Sequence, residues 1–146
     1  MLFPKKVKHR KWHTMRRNPG RFRMETRGMT LSFGSYGLKA TAAGRLRAKQ
    51  IEAARKAIMH AIKKSGESMS GKLWIRIFPD KPYTAKPPET GMGKGKGDPQ
   101  GYEFLVWPGR VLFEIDGVDD QVARDALRRA GSKLPFSTKM ISRAAI

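Results

Sequence analysis

Residues 102–115, YEFLVWPGRVLFEI, are two apolar runs separated by a Pro-Gly pair. Short runs rich in Val, Ile, Phe, Tyr and Trp read as strands, and Pro-Gly marks a turn. The stretch is therefore expected to be a β-hairpin, with 102–107 paired antiparallel to 110–115. Upstream, KLWIRIF at 72–78 alternates cleanly: Leu73, Ile75 and Ile77 share one side, and Trp74, Arg76 and Phe78 the other. This third strand joins the other two in an antiparallel sheet.

Two helical patterns flank these strands. In 48–64, Ile51, Ala54, Ile58 and Ile62 fall three, four and four residues apart, giving one apolar face. Lys49, Glu52, Arg55, Lys56 and Lys63 occupy the rest of the circumference, with Glu52 and Lys56 spaced for an i,i+4 pair. Ser65 and Gly66 stop the helix. In DDQVARDALRRAGSK, 119–133, Asp119 or Asp120 caps a second helix. Val122, Ala123, Ala126, Leu127 and Ala130 line one side, and Gly131 terminates it. MTLSFGSYGLK, 29–39, reads as a short strand over 29–36 with Phe33 and Tyr36 as packing residues. LPFSTKMIS, 134–142, reads as an edge strand with Pro135 near its start. Two helices on a mostly antiparallel sheet make an α+β sandwich. The expected organisation is a basic extension over 1–28, one α+β domain over 29–142 with a protruding loop at 79–101, and a tail at 143–146.

The loop and the extension carry the charge. In TAKPPETGMGKGKGDPQG, 84–101, glycine recurs at 91, 93, 95 and 97 with Lys94 and Lys96 between, and prolines restrict both sides. Nothing in that stretch builds a core or follows a helix or strand pattern; a basic loop between strands suits a probe into a phosphate-rich surface. Residues 1–24 hold nine Lys or Arg and no acid, interleaved with His9, Trp12, His13 and Phe22. Such an extension can run along RNA backbone. The 146-residue chain has 31 Lys+Arg against 12 Asp+Glu, formally +19, an excess that a polyanion would balance.

Several chemistries are excluded or disfavoured. Without cysteine there is no disulfide, thiol catalysis or Cys-ligated zinc. No 18-residue apolar run spans a membrane, and the N-terminus lacks the apolar core of a secretory signal. His9 and His13 sit at i,i+4 but have no third ligand nearby, so no metal is expected. GMGKGKG has the wrong spacing for a dinucleotide or P-loop fingerprint, lacks a hydroxyl after lysine, and runs into Asp98-Pro99 instead of a helix. No paired carboxylates mark a cleft. The chain is expected not to be an enzyme, and no cofactor is implied.

In order along the chain, MLFPKKVKHRKWH, FGSYGLKA, AKQIEAARKAI, WIRIFPDKP, GMGKGKGDP and PGRVLFEIDGV…ALRRAGSKLPFSTK resemble ribosomal protein sixteen of the bacterial-type large subunit. WIRIFPDKP followed by MGKGKG is the specific part. The resemblance implies an α/β-hammerhead-like fold on large-subunit rRNA, near the A site and the peptidyl-transferase region, and a role in late subunit assembly. It implies rRNA-binding by Lys5, Lys6, Lys8, Arg10, Lys11, Arg16, Arg17, Arg21, Arg45, Arg55, Lys56 and Arg76. The loop Met92, Gly93, Lys94, Gly95, Lys96 and Gly97 would extend toward A-site and P-site tRNA. Neighbouring large-subunit proteins are further expected partners; a membrane or a homo-oligomer is not.

Three departures from the family stand out. Gly91 occupies a position where arginine is common and in some bacteria hydroxylated. SGESMSGK, 65–72, is a longer link than usual. Gln100-Gly101 adds residues before the return strand, where Phe104-Leu105 replaces a more usual tryptophan-containing pattern. These hint at a divergent lineage, while the start of the chain resembles the bacterial start without a presequence. The expected setting is the ribosome, in a bacterial cytoplasm or an organellar matrix, the mitochondrion above all. The alternative is a free-standing RNA-binding or RNA-chaperone module.

Overall fold

The two runs of 102–115 do not pair with each other. Trp107 O accepts from Arg110 N at 3.2 Å, Pro108 sits second, and Gly109 has φ +101°. This is the arrangement of a type II turn, whose twist splays flanking strands where a two-residue hairpin needs a primed turn. Main-chain groups beside the turn bond instead to Ala40: Gly109 N donates to Ala40 O at 2.8 Å, and Ala40 N to Arg110 O at 2.9 Å. The runs diverge into two sheets.

The computed structural model describes residues 2–13, 24–66 and 71–143. Its elements are β1 (Tyr36–Ala40), β2 (Gly44–Arg47), α1 (Ala48–Lys64), β3 (Lys72–Ile75), β4 (Lys81–Ala85), β5 (Asp98–Val106), β6 (Val111–Asp116), α2 (Asp120–Gly131) and β7 (Thr138–Ser142). One sheet has the order β3-β6-β1-β7, the other β2-β5-β4, and every pairing is antiparallel. The α+β expectation holds, with two sheets in place of one. β7 is an edge strand, as its sequence indicated.

Two strands escaped the sequence reading. Arg45 and Arg47 belong to β2, a four-residue strand whose only buried residue is Leu46, too short to show alternation. β4 and the start of β5 lie inside the protruding loop expected at 79–101. Pro82 is tolerated because β4 is an edge strand, and Pro99 falls where the β4–β5 register shifts. The protrusion is therefore residues 86–97. The strand expected at 72–78 ends at Ile75, and the one expected over 29–36 begins only at Tyr36. Residues 67–70 of the long link lie outside the described residues.

α1 has the expected bounds, with Ile51, Ala54, Ile58 and Ile62 all buried. It packs with the alanine-rich face of α2, and both close over Leu38, Phe113 and Ile115 of the four-stranded sheet. In the register Leu38 faces Phe113 and Tyr36 faces Ile115, while Gly37 faces Glu114. Gly37 and Glu114 thus point to the opposite side. There a Cβ on Gly37 would fall 2.4 Å from Leu31 Cδ2, and one on Gly34 would fall 2.5 Å from Ile115 O. Both glycines let the 31–34 segment lie flat on the sheet.

Glu114 is fully buried on that covered side. Its carboxylate accepts from the N–H groups of Ser32 (3.1 Å), Phe33 (2.7 Å) and Gly34 (2.9 Å), and pairs with the Arg76 guanidinium. Burial pushes its pKa up, but the Gly34 and Phe33 N–H groups, with Arg76, outweigh that and hold it below the usual carboxylate range. With its N–H turned inward, Phe33 puts its ring outside, 55% exposed and stacked on Trp74 at 6.0 Å. The packing role expected of Phe33 is therefore corrected, whereas Tyr36 does pack against the core.

Stability from a carboxylate with a lowered pKa is fully present above the ordinary value of 4.5 and is lost as pH falls through the folded value. Glu114→Gln should cost on the order of 3 kcal/mol at neutral pH, because it leaves Arg76 unpaired. It should also flatten the acid limb of a denaturation-midpoint series. An unchanged midpoint at pH 7 would remove Glu114 from its structural role.

Candidate nucleic-acid interface

The acidic residues are distributed unevenly over the surface. On α2, Asp120 pairs with Arg124 at 2.7 Å, and Asp125 with Arg128 at 3.1 Å and Arg129 at 2.7 Å. These bonds, from Arg128 first and Arg129 next, lower the Asp125 pKa. On α1, Glu52 bonds Arg55 at 2.6 Å, so the expected Glu52–Lys56 pair is replaced by an i,i+3 one that lowers the Glu52 pKa. Arginine's planar fork explains that preference over an ammonium point charge. Buried Glu103 lies 3.6 Å from Lys81 and 3.8 Å from Arg45. The outer side of α2 is thereby locally balanced. Lys49, Lys56, Lys63 and Lys64 on α1 stand exposed, as do most cations of the extension and loop.

The extension and the loop are joined. Lys11 Nζ donates to Lys96 O at 3.2 Å and lies 3.6 Å from Asp98. In return, Lys96 Nζ donates to Trp12 O. Leu2 packs against the core at the other end of this segment. Beyond it, Glu25 N donates to Pro108 O and Val111 N to Gly28 O, both at 2.9 Å. Arg110 binds Arg27 O at 3.0 Å and Arg76 O at 3.3 Å beneath Gly28.

At the loop tip one ammonium gathers three carbonyls. Lys86 Nζ donates to Gly91 O (3.4 Å), Met92 O (2.9 Å) and Gly93 O (2.6 Å). Lys94 and Gly95 then take φ of +64° and +89°, turning the chain back toward β5. Met92 is fully exposed. Lys94 is also exposed, with no ion pair or hydrogen bond to a described residue. The tip is a shaped turn presenting a lysine, with its carbonyl dipoles held inward by another.

The residues singled out in sequence fall into distinct environments. Lys5, Lys6, Lys8, Arg10 and Lys11 are exposed on the extension; Lys56 is exposed on α1. Arg16, Arg17 and Arg21 lie outside the described residues. Arg45 is exposed beside Glu103, and Arg55 is half-buried on Glu52. Arg76 turns inward to Glu114 under the Phe33 ring, its guanidinium 5.0 Å from the centroid, so it holds the sheet surface in place. Met92, Gly93, Lys94, Gly95, Lys96 and Gly97 form the tip and its return.

Sequence reasoning missed Lys86, one lysine among many. It also missed Glu103 and Glu114, though a lone carboxylate inside an apolar strand run is a signal that a buried cation must be found for it. Among the described residues, no group of three or more His, Asp and Glu is placed to hold a metal ion, and no helix is long and apolar enough to cross a membrane.

The family model for ribosomal protein L16p/L10e matches residues 4–141. The large ribosomal subunit protein uL16 of Pseudothermotoga lettingae is 51% identical over 147 residues, covering 100% of this chain and 96% of that protein.

The absence of native cysteine makes the joint between the arms directly measurable. Spin labels at Lys8→Cys and Met92→Cys should give a narrow distance distribution that broadens when Lys96→Ala removes the bond to Trp12. A width indifferent to Lys96 would mean that the arms move independently.

Proposed function

The chain belongs to the ribosomal protein L16p/L10e family, and from that premise we propose how it works as a structural constituent of the large ribosomal subunit. The exposed cations of the extension and of α1 lie along large-subunit rRNA near the A site and the peptidyl-transferase region. The loop tip reaches bound tRNA in the A and P sites. Closing this contact late in assembly fixes the shape of the region, and neighbouring ribosomal proteins meet the remaining surface. Peptide-bond chemistry is left to the RNA.

The observation that carries this reading is the joint between Lys11, Trp12, Lys96 and Asp98. It makes two cationic arms one surface, so phosphate contact along the extension also sets the direction of the tip. The paired arginines of α2 leave that side poorer in free positive charge. Gly91, where the family commonly has arginine, leaves Lys94 as the tip's main free cation.

The two loop lysines should therefore behave differently. In purified large subunits, Lys94→Ala should weaken A-site tRNA binding and lower its log–log salt slope by about 0.7–0.9, the share of one phosphate contact. Incorporation of the chain, followed by sedimentation through high-salt sucrose, should be unchanged. Lys96→Ala should reduce both, because it also frees the extension. Equal losses for the two variants would sink this division of roles, and an exclusively free pool of the parent chain would sink the ribosomal reading.

A further inference from the structure

A groove of about 360 Å³ opens where the extension, the start of α1 and the β4–β5 hairpin meet. Phe3, Arg47, Lys49, Tyr83, Gln100 and Tyr102 line it, and no acidic residue does. The Arg47 guanidinium carbon lies 4.7 Å from the centroid of the Tyr83 ring. Behind that ring is Gly101, where a Cβ would fall 2.9 Å from Tyr83 Cε1, so the absence of a side chain lets the ring lie close against β5. Phe3 is 59% exposed and comes from the extension. Arg47 N donates to Gln50 Oε1 at 3.0 Å, which fixes the backbone at the helix start.

Three rings, two cations and a side-chain amide match one kind of ligand: a flat aromatic group that carries a phosphate. The rings offer stacking surface, the cations meet the phosphate, and Gln100 with the tyrosine hydroxyls can read a base edge. A peptide segment would instead want an apolar stripe to fill, and here cations rim the opening. Lys5, Lys6 and Lys8 lie within five residues of Phe3, so a strand tracking the extension passes the groove.

We propose that this groove receives one unpaired nucleobase of an RNA strand, stacked among Phe3, Tyr83 and Tyr102, with the exposed Arg47 turning off the Tyr83 face to hold its phosphate together with Lys49. The inference rests on the large-subunit reading above and adds to it a hold on a base where the arms hold backbone. Because Phe3 belongs to the extension, seating the base also docks the extension.

The test compares rRNA base reactivity toward dimethyl sulfate and carbodiimide in large subunits carrying the parent chain or its variants. With Tyr83→Leu and Tyr102→Leu together, at least one unpaired base shielded by the parent chain should become roughly fivefold more reactive. The paired Tyr→Phe variant keeps the stack and loses only the hydroxyls, so it should keep more of the shielding than the paired Leu variant. Phe3→Leu changes an exposed residue outside the core, so it serves if the double variant fails to fold; the same base should open by a smaller factor. If Phe3→Leu enters subunits and leaves every base at parental reactivity, the proposal is overturned while the large-subunit reading stands. The same holds if the groove proves to be covered by a neighbouring protein. Absence of the parent chain from subunits would instead overturn the underlying reading.

Discussion

A single buried carboxylate holds the outer surface of this fold together. Glu114 sits in the middle of β6, the strand between β3 and β1, with no access to water. It is satisfied only because three successive N–H groups of 32–34 and the Arg76 guanidinium converge on it. An unpaired charge at that depth would be strongly destabilising. The segment before β1 is therefore drawn across the sheet, Gly34 and Gly37 are required beneath it, and the Phe33 ring is turned outward. From the far end of β3, Arg76 O then accepts from Arg110, the side chain that anchors 25–28 at the base of the extension. Core and cationic arm are linked through two arginines that face inward.

The same logic governs charge across the molecule. A formal +19 resists compaction. Most of the ion-paired carboxylates hold arginines in position: Glu114 under the sheet, Asp120 and Asp125 along α2, Glu52 on α1 and Glu103 beside Arg45. The extension, the open side of α1 and the loop tip each keep exposed lysines. Even there, three lysines act on the protein itself. Lys86 shapes the tip through its carbonyls, while Lys96 and Lys11 fasten the loop to the extension. Net charge alone would treat all of these lysines as equivalent, but their partners separate those that build the surface from those that face outward.

Much of this was legible in the residues. The 3.6-residue pattern gave both helices, because each buries a single regular face. Leu38, Ile115 and the alanines of α2 then complete a core of the expected kind. Legibility failed where the deciding physics was not local. Pro108-Gly109 correctly signals a turn, but only the handedness of a type II turn and the bonds to Ala40 show that its strands part. β2 and β4 are short, and β4 contains a proline that only an edge position tolerates. The candidate surface was legible as composition, from the lysines and glycines, but not as geometry. Nothing in sequence separation brings Trp12 to Lys96 or Phe3 to Tyr83.

We propose that the joined extension and loop, and not the arginine-bearing side of α2, form the face that large-subunit rRNA completes. The decisive measurement is a cryo-EM map of the large subunit containing this chain. RNA phosphates are expected within contact of Lys5, Lys6, Lys8 and Lys56, with the 91–97 tip directed at the tRNA path. A map with Arg124, Arg128 and Arg129 seated on RNA, and the extension and loop in solvent, would contradict it.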